Sequence, residues 1–170
     1  MRIGFSLGSN SGDRFAQMCE ARDRISTSLD ASAIKSSPLY ETAPVGVLNE
    51  YRHLNFLNAV VSVETACSAR EWLSACRAIE DAMGRIRVGD RYAPRTIDVD
   101  ILFAGCECID SADLTVPHPR WMKRRFVVQP LADIHPDLVL PCMESTVADY
   151  LDGMDDPSEV WLYERPWSMI

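Results

Sequence analysis

Two strand-like runs, FLNAVVSVE at 56–64 and TIDVDILFA at 96–104, flank a helical stripe of Trp72, Cys76, Ile79 and Met83, and the same alternation occurs once upstream. Residues 2–7, RIGFSL, read as a strand entering the turn cluster GSNSGDR. Asp13 then caps a helix over about 13–29, in which Phe15, Met18, Ala21, Ile25 and Leu29 recur at helical spacing. AIKSSPLYE at 33–41 is a weaker strand, because Pro38 has no N–H for a ladder. Ser68 and Glu71 form a capping box, and Gly84 ends the helix they start. The order β-α-β-β-α-β predicts an α+β, ferredoxin-like core, an antiparallel sheet with helices packed on it. Beyond Gly105 we expect a short added strand at 106–109, one or two short helices in 116–136, and a helix at 145–151 capped by Ser145. VWLYERPW at 160–167 offers a docking strand. The whole reads as one domain over 1–170, with a core of about 1–136 and C-terminal additions over 137–170.

The chain carries 17 Lys and Arg against 25 Asp and Glu, a net charge of −8, and 47% of its 170 residues are hydrophobic. These values fit a soluble globular protein and exclude disordered and fibrous classes. No apolar run approaches the roughly 20 residues of a membrane span, and MRIGFSLGSN is too short and polar for a signal peptide, so a cytoplasmic protein without membrane partners is expected. The six cysteines are expected to be reduced and mostly buried. Against the acidic background stand two basic islands, Arg85, Arg87, Arg91 and Arg95, then Arg120, Lys123, Arg124 and Arg125. Guanidinium forks match phosphate oxygens in pairs, so the islands read as a local polyanion site or as solvated surface. The overall negative field argues against extended nucleic-acid binding.

In TIDVDIL the side chains alternate, which puts Asp98 and Asp100 on one strand face about 7 Å apart. Such a pair is either a solvated edge or a holder of Mg²⁺, which binds through a few carboxylates plus substrate phosphates. Arg95, three residues before Asp98, favours the second reading. His118, between two prolines in VPHP, is a surface residue or a phosphate donor. Asn58 interrupts an apolar strand, so its amide is satisfied by backbone or by a polar ligand. GSNSGDR is neither a P-loop nor a dinucleotide fingerprint and reads as structural. Cys106 and Cys108 lack the second ligand pair of a zinc site.

GSNSGDR, SSPLYETAPVG, FLNAVVSVET, GRIR, RYAPRTIDVDIL, TVPHPR and RFVVQPLADI follow one another as they do in the 6-hydroxymethyl-7,8-dihydropterin pyrophosphokinases of folate biosynthesis, a family the chain resembles over roughly 4–136. The resemblance implies transfer of the diphosphoryl group of ATP to the pterin hydroxymethyl oxygen, with release of AMP. It also implies two Mg²⁺ ions on Asp98 and Asp100, with Arg85 and Arg95 as phosphate clamps. Glu80, Arg87, Arg91, Ile101, Thr115, His118 and Arg124 match nucleotide positions. Thr42, Pro44, Val45 and Asn58 match the pterin pocket, with Phe56 and Phe126 sandwiching the ring and Tyr92 capping it. The expected partners are these small molecules, acting on a monomer. Val88, Asp113, Pro119 and Tyr92 depart from a Lys, an Arg, a Tyr and a Trp carried by other members. Without the resemblance, the acid pair also fits a nucleotidyl transferase releasing pyrophosphate, and the charge losses at 88 and 113 fit a catalytically impaired ATP-binding relative.

Overall fold

In the computed structural model, which describes residues 1–44, 48–85 and 93–167, an antiparallel sheet is built from the strands the alternation marks. The strands are β1 (Arg2–Ser9), β2 (Ser32–Ser36), β3 (Tyr40–Thr42), β4 (Phe56–Glu64), β5 (Asp98–Ala104), β6 (Ile109–Asp110), β7 (Thr115–Val116) and β8 (Val160–Leu162). The helices are α1 (Arg14–Thr27), α2 (Ala69–Ala82), α3 (Arg125–Ile134) and α4 (Val147–Asp152). Six strands form the main sheet in the order β5-β1-β4-β3-β8, with β2 also paired to β4, while β6 and β7 form a separate hairpin. The β1-α1-β2/β3-β4-α2-β5 succession and its antiparallel pairing are the expected ferredoxin-like core.

Period-two alternation sorts the sheet into two cores. Leu57, Ala59, Val61 and Val63 of β4, with Phe5, Leu7, Val99 and Ile101, bury themselves against Met18, Ile25, Trp72 and Ile79 of α1 and α2. On the opposite face Val60, Leu102 and Phe103 pack beneath Trp121, Val128, Leu131, Leu140 and Val147, brought by α3, α4 and their connections. Phe103 presses on β1 where a Cβ on Gly4 would come within 2.2 Å of its ring, so only glycine fits there. The C-terminal segment does dock as a strand, β8 on β3, and Trp167 donates its indole N–H to the Ser37 carbonyl at 2.8 Å.

Several local expectations are corrected. The 33–41 strand is two strands, because around Pro38 the Ser37 hydroxyl takes over the Val60 N–H at 3.0 Å. Helix α1 stops at Thr27, and Leu29 lies beyond it, half exposed with φ 48°. β5 starts at Asp98 instead of 96, the added strand is Ile109–Asp110, and the cap of α4 is Thr146, which forms the capping box with Asp149, instead of Ser145. Of the cysteines only Cys76 is buried; Cys19 and Cys67 are half-buried, and Cys106, Cys108 and Cys142 are exposed. No helix among the described residues is long and apolar enough to cross a membrane.

His135, at the end of α3, is 6% exposed and its Nε2 lies 2.7 Å from the Ser62 hydroxyl. Burial, then the charges of Arg2 and Lys35, depress its pKa from 6.5 to about 4, against a smaller opposing effect of Glu64. The unfolded chain therefore binds this proton at a higher pH than the native one. Its contribution is complete above about pH 6.5 and is lost as pH falls toward 4. His118, also depressed to about 4, acts in the same direction. Thermal unfolding should show the melting temperature dropping between pH 7 and pH 5, and His135→Gln should retain only the part of that drop that His118 supplies; an undiminished drop in the variant would exclude His135 as a source.

Candidate active site

The end of the second sheet face where β4, β1 and β5 carry Asn58, Gly8 and Asp98 collects polar side chains that the sequence singles out. Across β4, β1 and β5 the register aligns Asn58 with Gly8 and Gly8 with Asp98, with Asp100 opposite Ser6 on the same β5 face. Gly8 leaves a floor between the flanking strands. A Cβ there would lie 3.5 Å from Asn58 Oδ1 and 4.0 Å from both Asp98 Cβ and the Phe56 ring, so these three groups border the same small space. Sequence reasoning missed Gly8. A glycine inside a strand signals close approach or a ligand, but here it merges with the adjoining turn cluster.

Asp98 is held on both carboxylate oxygens, by Arg85 on Oδ1 and by Arg95 at 2.7 Å on Oδ2. Glu80 reaches the same cluster from α2, pairing with Arg85 and accepting the Val99 N–H at 2.9 Å, which explains a carboxylate only 5% exposed. Burial holds the Asp98 carboxyl above its usual pKa, opposed by Arg95 and Arg85 and reinforced by the charge of Asp100. Asp100 itself is exposed. Asn10, at the end of β1, fixes Arg95 from both sides: its Oδ1 accepts the Arg95 N–H at 2.8 Å and its own N–H donates to the Arg95 carbonyl at 3.2 Å. The Arg95 guanidinium also lies over the Phe56 ring, 5.7 Å from its centroid.

Next to this cluster, buried Asn58 donates from Nδ2 to the Thr42 hydroxyl at 2.8 Å, so the amide finds its partner in a side chain instead of the backbone. On the other side, the His118 N–H bonds the Leu102 carbonyl at 2.8 Å, which puts His118 beside β5, two residues on from Asp100. Burial and the charges of Arg124 and Arg120 lower the His118 pKa to about 4. The ring is neutral at pH 7, and because Nδ1 accepts the Arg120 N–H at 3.2 Å, the proton resides on Nε2. Arg124 lies over Phe126 at 5.6 Å, at the start of α3. Thr115 is half-buried on β7, and Pro44 is half-buried two residues beyond Thr42.

Ile101 is the exception among the candidates. Its side chain points to the α1 and α2 core, the opposite face from Asp98 and Asp100, because the strand alternates. Val45, Arg87, Arg91 and Tyr92, with Val88, lie outside the described residues. Asp113 pairs with Arg70 at 3.4 Å on the surface.

Among the described residues no cluster of three or more His, Cys, Asp or Glu forms a ready metal cage. Two hard oxygen donors on one face, one of them exposed, match a magnesium ion that completes its shell from substrate phosphates and water.

The sequence model of the family described as 7,8-dihydro-6-hydroxymethylpterin-pyrophosphokinase matches residues 4–136. The chain is similar to the 2-amino-4-hydroxy-6-hydroxymethyldihydropteridine pyrophosphokinase of Pseudomonas aeruginosa, 38% identical over 82% of this chain and 84% of the relative. It is also similar to the Folic acid synthesis protein fol1 of Pneumocystis carinii, 38% identical over 91% of this chain, where it spans only 20% of the longer protein. Among solved structures, an HPPK-DHPS crystallised in complex with substrates superposes with a TM-score of 0.71 at 15% identity, over 89% of this chain and 42% of that one, a likeness of fold.

Proposed function

The chain belongs to the 7,8-dihydro-6-hydroxymethylpterin-pyrophosphokinase family, and on that footing we propose that it transfers the diphosphoryl group of ATP to the hydroxymethyl oxygen of 6-hydroxymethyl-7,8-dihydropterin and releases AMP. The observation that carries this reading is the meeting, over the glycine floor at Gly8, of an Asp–Arg phosphate cluster with a buried Asn–Thr pair beside an aromatic ring. The first asks for a polyphosphate and the second for a flat heterocycle with hydrogen-bonding edges.

In this reading Asn58 and Thr42 read the donor and acceptor edge of the pterin, with Pro44 and Val45 lining its pocket. Phe56 and Phe126 stack on its faces and Tyr92 closes over it. Such orientation brings the hydroxyl toward the phosphate cluster and removes most of the entropic barrier to in-line attack. His118 donates from Nε2 to a phosphate oxygen as a neutral imidazole at physiological pH. Arg85 and Arg95 exchange part of their hold on Asp98 for phosphate oxygens as charge develops on the bridging and leaving groups. Arg124, Arg87, Arg91 and Thr115 bind the nucleotide, Ile101 contributes through its backbone, and Glu80 orients Arg85. Asp98 and Asp100 would hold two Mg²⁺ ions, which when bound supply Lewis acidity toward the phosphates and the attacking hydroxyl. Among the described residues no side chain of the cluster is placed as a strong base, so positioning and charge neutralisation dominate in this reading.

The test is incubation of the protein with Mg²⁺, ATP and the pterin, with chromatographic identification of the nucleotide. AMP that depends on the pterin is the expected product. Pyrophosphate release would instead support a nucleotidyl transferase, and binding of Mg·ATP without turnover an impaired relative. The pterin pocket has its own test. Gly8→Leu should fill the floor and raise the pterin KM about 10- to 100-fold, the equivalent of 1–3 kcal/mol of overpacking, with little change in ATP binding. Gly8→Ala, whose methyl meets its neighbours at ordinary contact distance, should be mild. An unchanged pterin KM in the Leu variant would move the pterin elsewhere.

A further inference from the structure

Away from the candidate site, Cys108 and Cys142 present exposed thiols whose sulfurs approach to 2.8 Å across 34 residues of sequence. Short backbone spans hold each of them. Cys108 precedes Ile109, which packs on the α1 and α2 core, and the turn before it is closed by the Glu107 N–H on the Ala104 carbonyl at 2.9 Å. Cys142 follows buried Leu140 of the other core, in a turn closed by the Met143 N–H on the Leu140 carbonyl at 3.1 Å, and its φ is 63°. A non-glycine residue in the left-handed region is uncommon, and Cys142 adopts it where the two thiols meet. A disulfide needs sulfurs about 2.05 Å apart, so the approach still required is small.

We propose that Cys108 and Cys142 are a redox pair that closes reversibly into an intramolecular disulfide, tying the β6–β7 hairpin to the segment that precedes α4. The oxidant is a low-molecular-weight disulfide of the glutathione class. One thiolate of the pair attacks a sulfur of the oxidant, forming a mixed disulfide and releasing the first small thiol. The second cysteine sulfur then attacks its partner and expels the second small thiol. The two cysteine protons end on the two departing thiols, and the two electrons lost by the cysteine sulfurs reduce the oxidant. The hydrogen bond to Cys142, then burial, raises the pKa of the Cys108 thiol, so exchange quickens as pH rises. The closed loop restricts the unfolded chain and stabilises the fold. None of the residues assigned to ATP or pterin takes part, so the pair stands or falls independently of the proposed reaction.

The experiment uses the full chain, exposed to oxidised glutathione at about pH 8, where thiolates form more readily. Free thiols are then alkylated, the protein is digested without reduction, and the peptides are identified by mass. A Cys108–Cys142 linked peptide, lighter by two hydrogens than the sum of its parts, is expected. The melting temperature should rise by about 5–10 °C and return on reduction. Cys142→Ser should lose both effects and Cys106→Ser should keep both. The proposal fails if Cys108 and Cys142 stay alkylatable or retain glutathione without linking, or if exposed Cys106 takes either one as its partner.

Discussion

Asp100→Asn should lower pterin-dependent AMP formation about a thousandfold at saturating substrates while leaving thermal unfolding almost unchanged. The contrast between the two readouts comes from where Asp100 stands. It is exposed on β5, on the face that carries Asp98, with its side chain outside both hydrophobic cores. Removing a charge there disturbs little packing, and surface changes away from special features usually stay within about 0.5 kcal/mol. Asp98 is the poorer choice for the same question. Two guanidinium groups pair with it, so its replacement mixes loss of chemistry with the cost of uncompensated buried charge. Turnover within a fewfold of wild type for Asp100→Asn would remove this carboxylate from the reaction and with it the two-ion assignment.

How far the sequence carries this picture depends on whether the deciding interaction is local. The β4 strand is legible to its ends because alternation and β-branched residues are properties of the segment itself, and the Ser68 capping box because both its partners lie within four residues. Asp98 and Asp100 are legible as a pair because a strand fixes which side chains share a face. What escapes is set by register between distant strands. Gly8 is a weak strand residue until Asn58 and Asp98 are aligned on either side of it. Exposure of Cys108 and Cys142 belongs to the same class, since neither thiol's neighbour is near it in sequence. The differences at Leu29 and at Thr146 are smaller: the helical spacing of apolar residues continues two residues past the end of α1, and of two adjacent hydroxyl residues the second takes the cap.

The two cores also explain why the site lies where it does. The α1 and α2 face of the sheet is apolar throughout β1, β4 and β5, whereas on the α3 face the apolar cover ends with Val60, Leu102 and Phe103. Toward the other end the same alternation continues with Asn58, Asp98 and Asp100, polar side chains in place of the apolar cover. There Asn58 finds its partner in Thr42 and Asp98 in Arg85 and Arg95, while Asp100 stays exposed.

Arg95→Ala should lower kcat/KM about 10³-fold and shift the acid limb of the pH–rate profile toward higher pH. Arg95 joins the two halves of the site, with Nη1 on Asp98 at 2.7 Å and the guanidinium plane over Phe56. Its removal takes a positive charge from the developing phosphate charge and also the largest influence that opposes burial at Asp98. Burial already holds the Asp98 carboxyl above its ordinary range. Without Arg95 its pKa rises further, so a higher pH is needed to produce the carboxylate form that the reaction uses. Arg95→Lys separates the two consequences. An ammonium restores the charge, so the acid limb should move back toward that of the wild type, yet it has no planar fork to hold Asp98 and a phosphate oxygen together, and the rate should stay well below wild type. Asn10 holds the backbone N–H and carbonyl of residue 95, so both variants should keep the strand entry in place. An acid limb that stays fixed in Arg95→Ala would show that the titrating group is not Asp98, whatever the loss in rate.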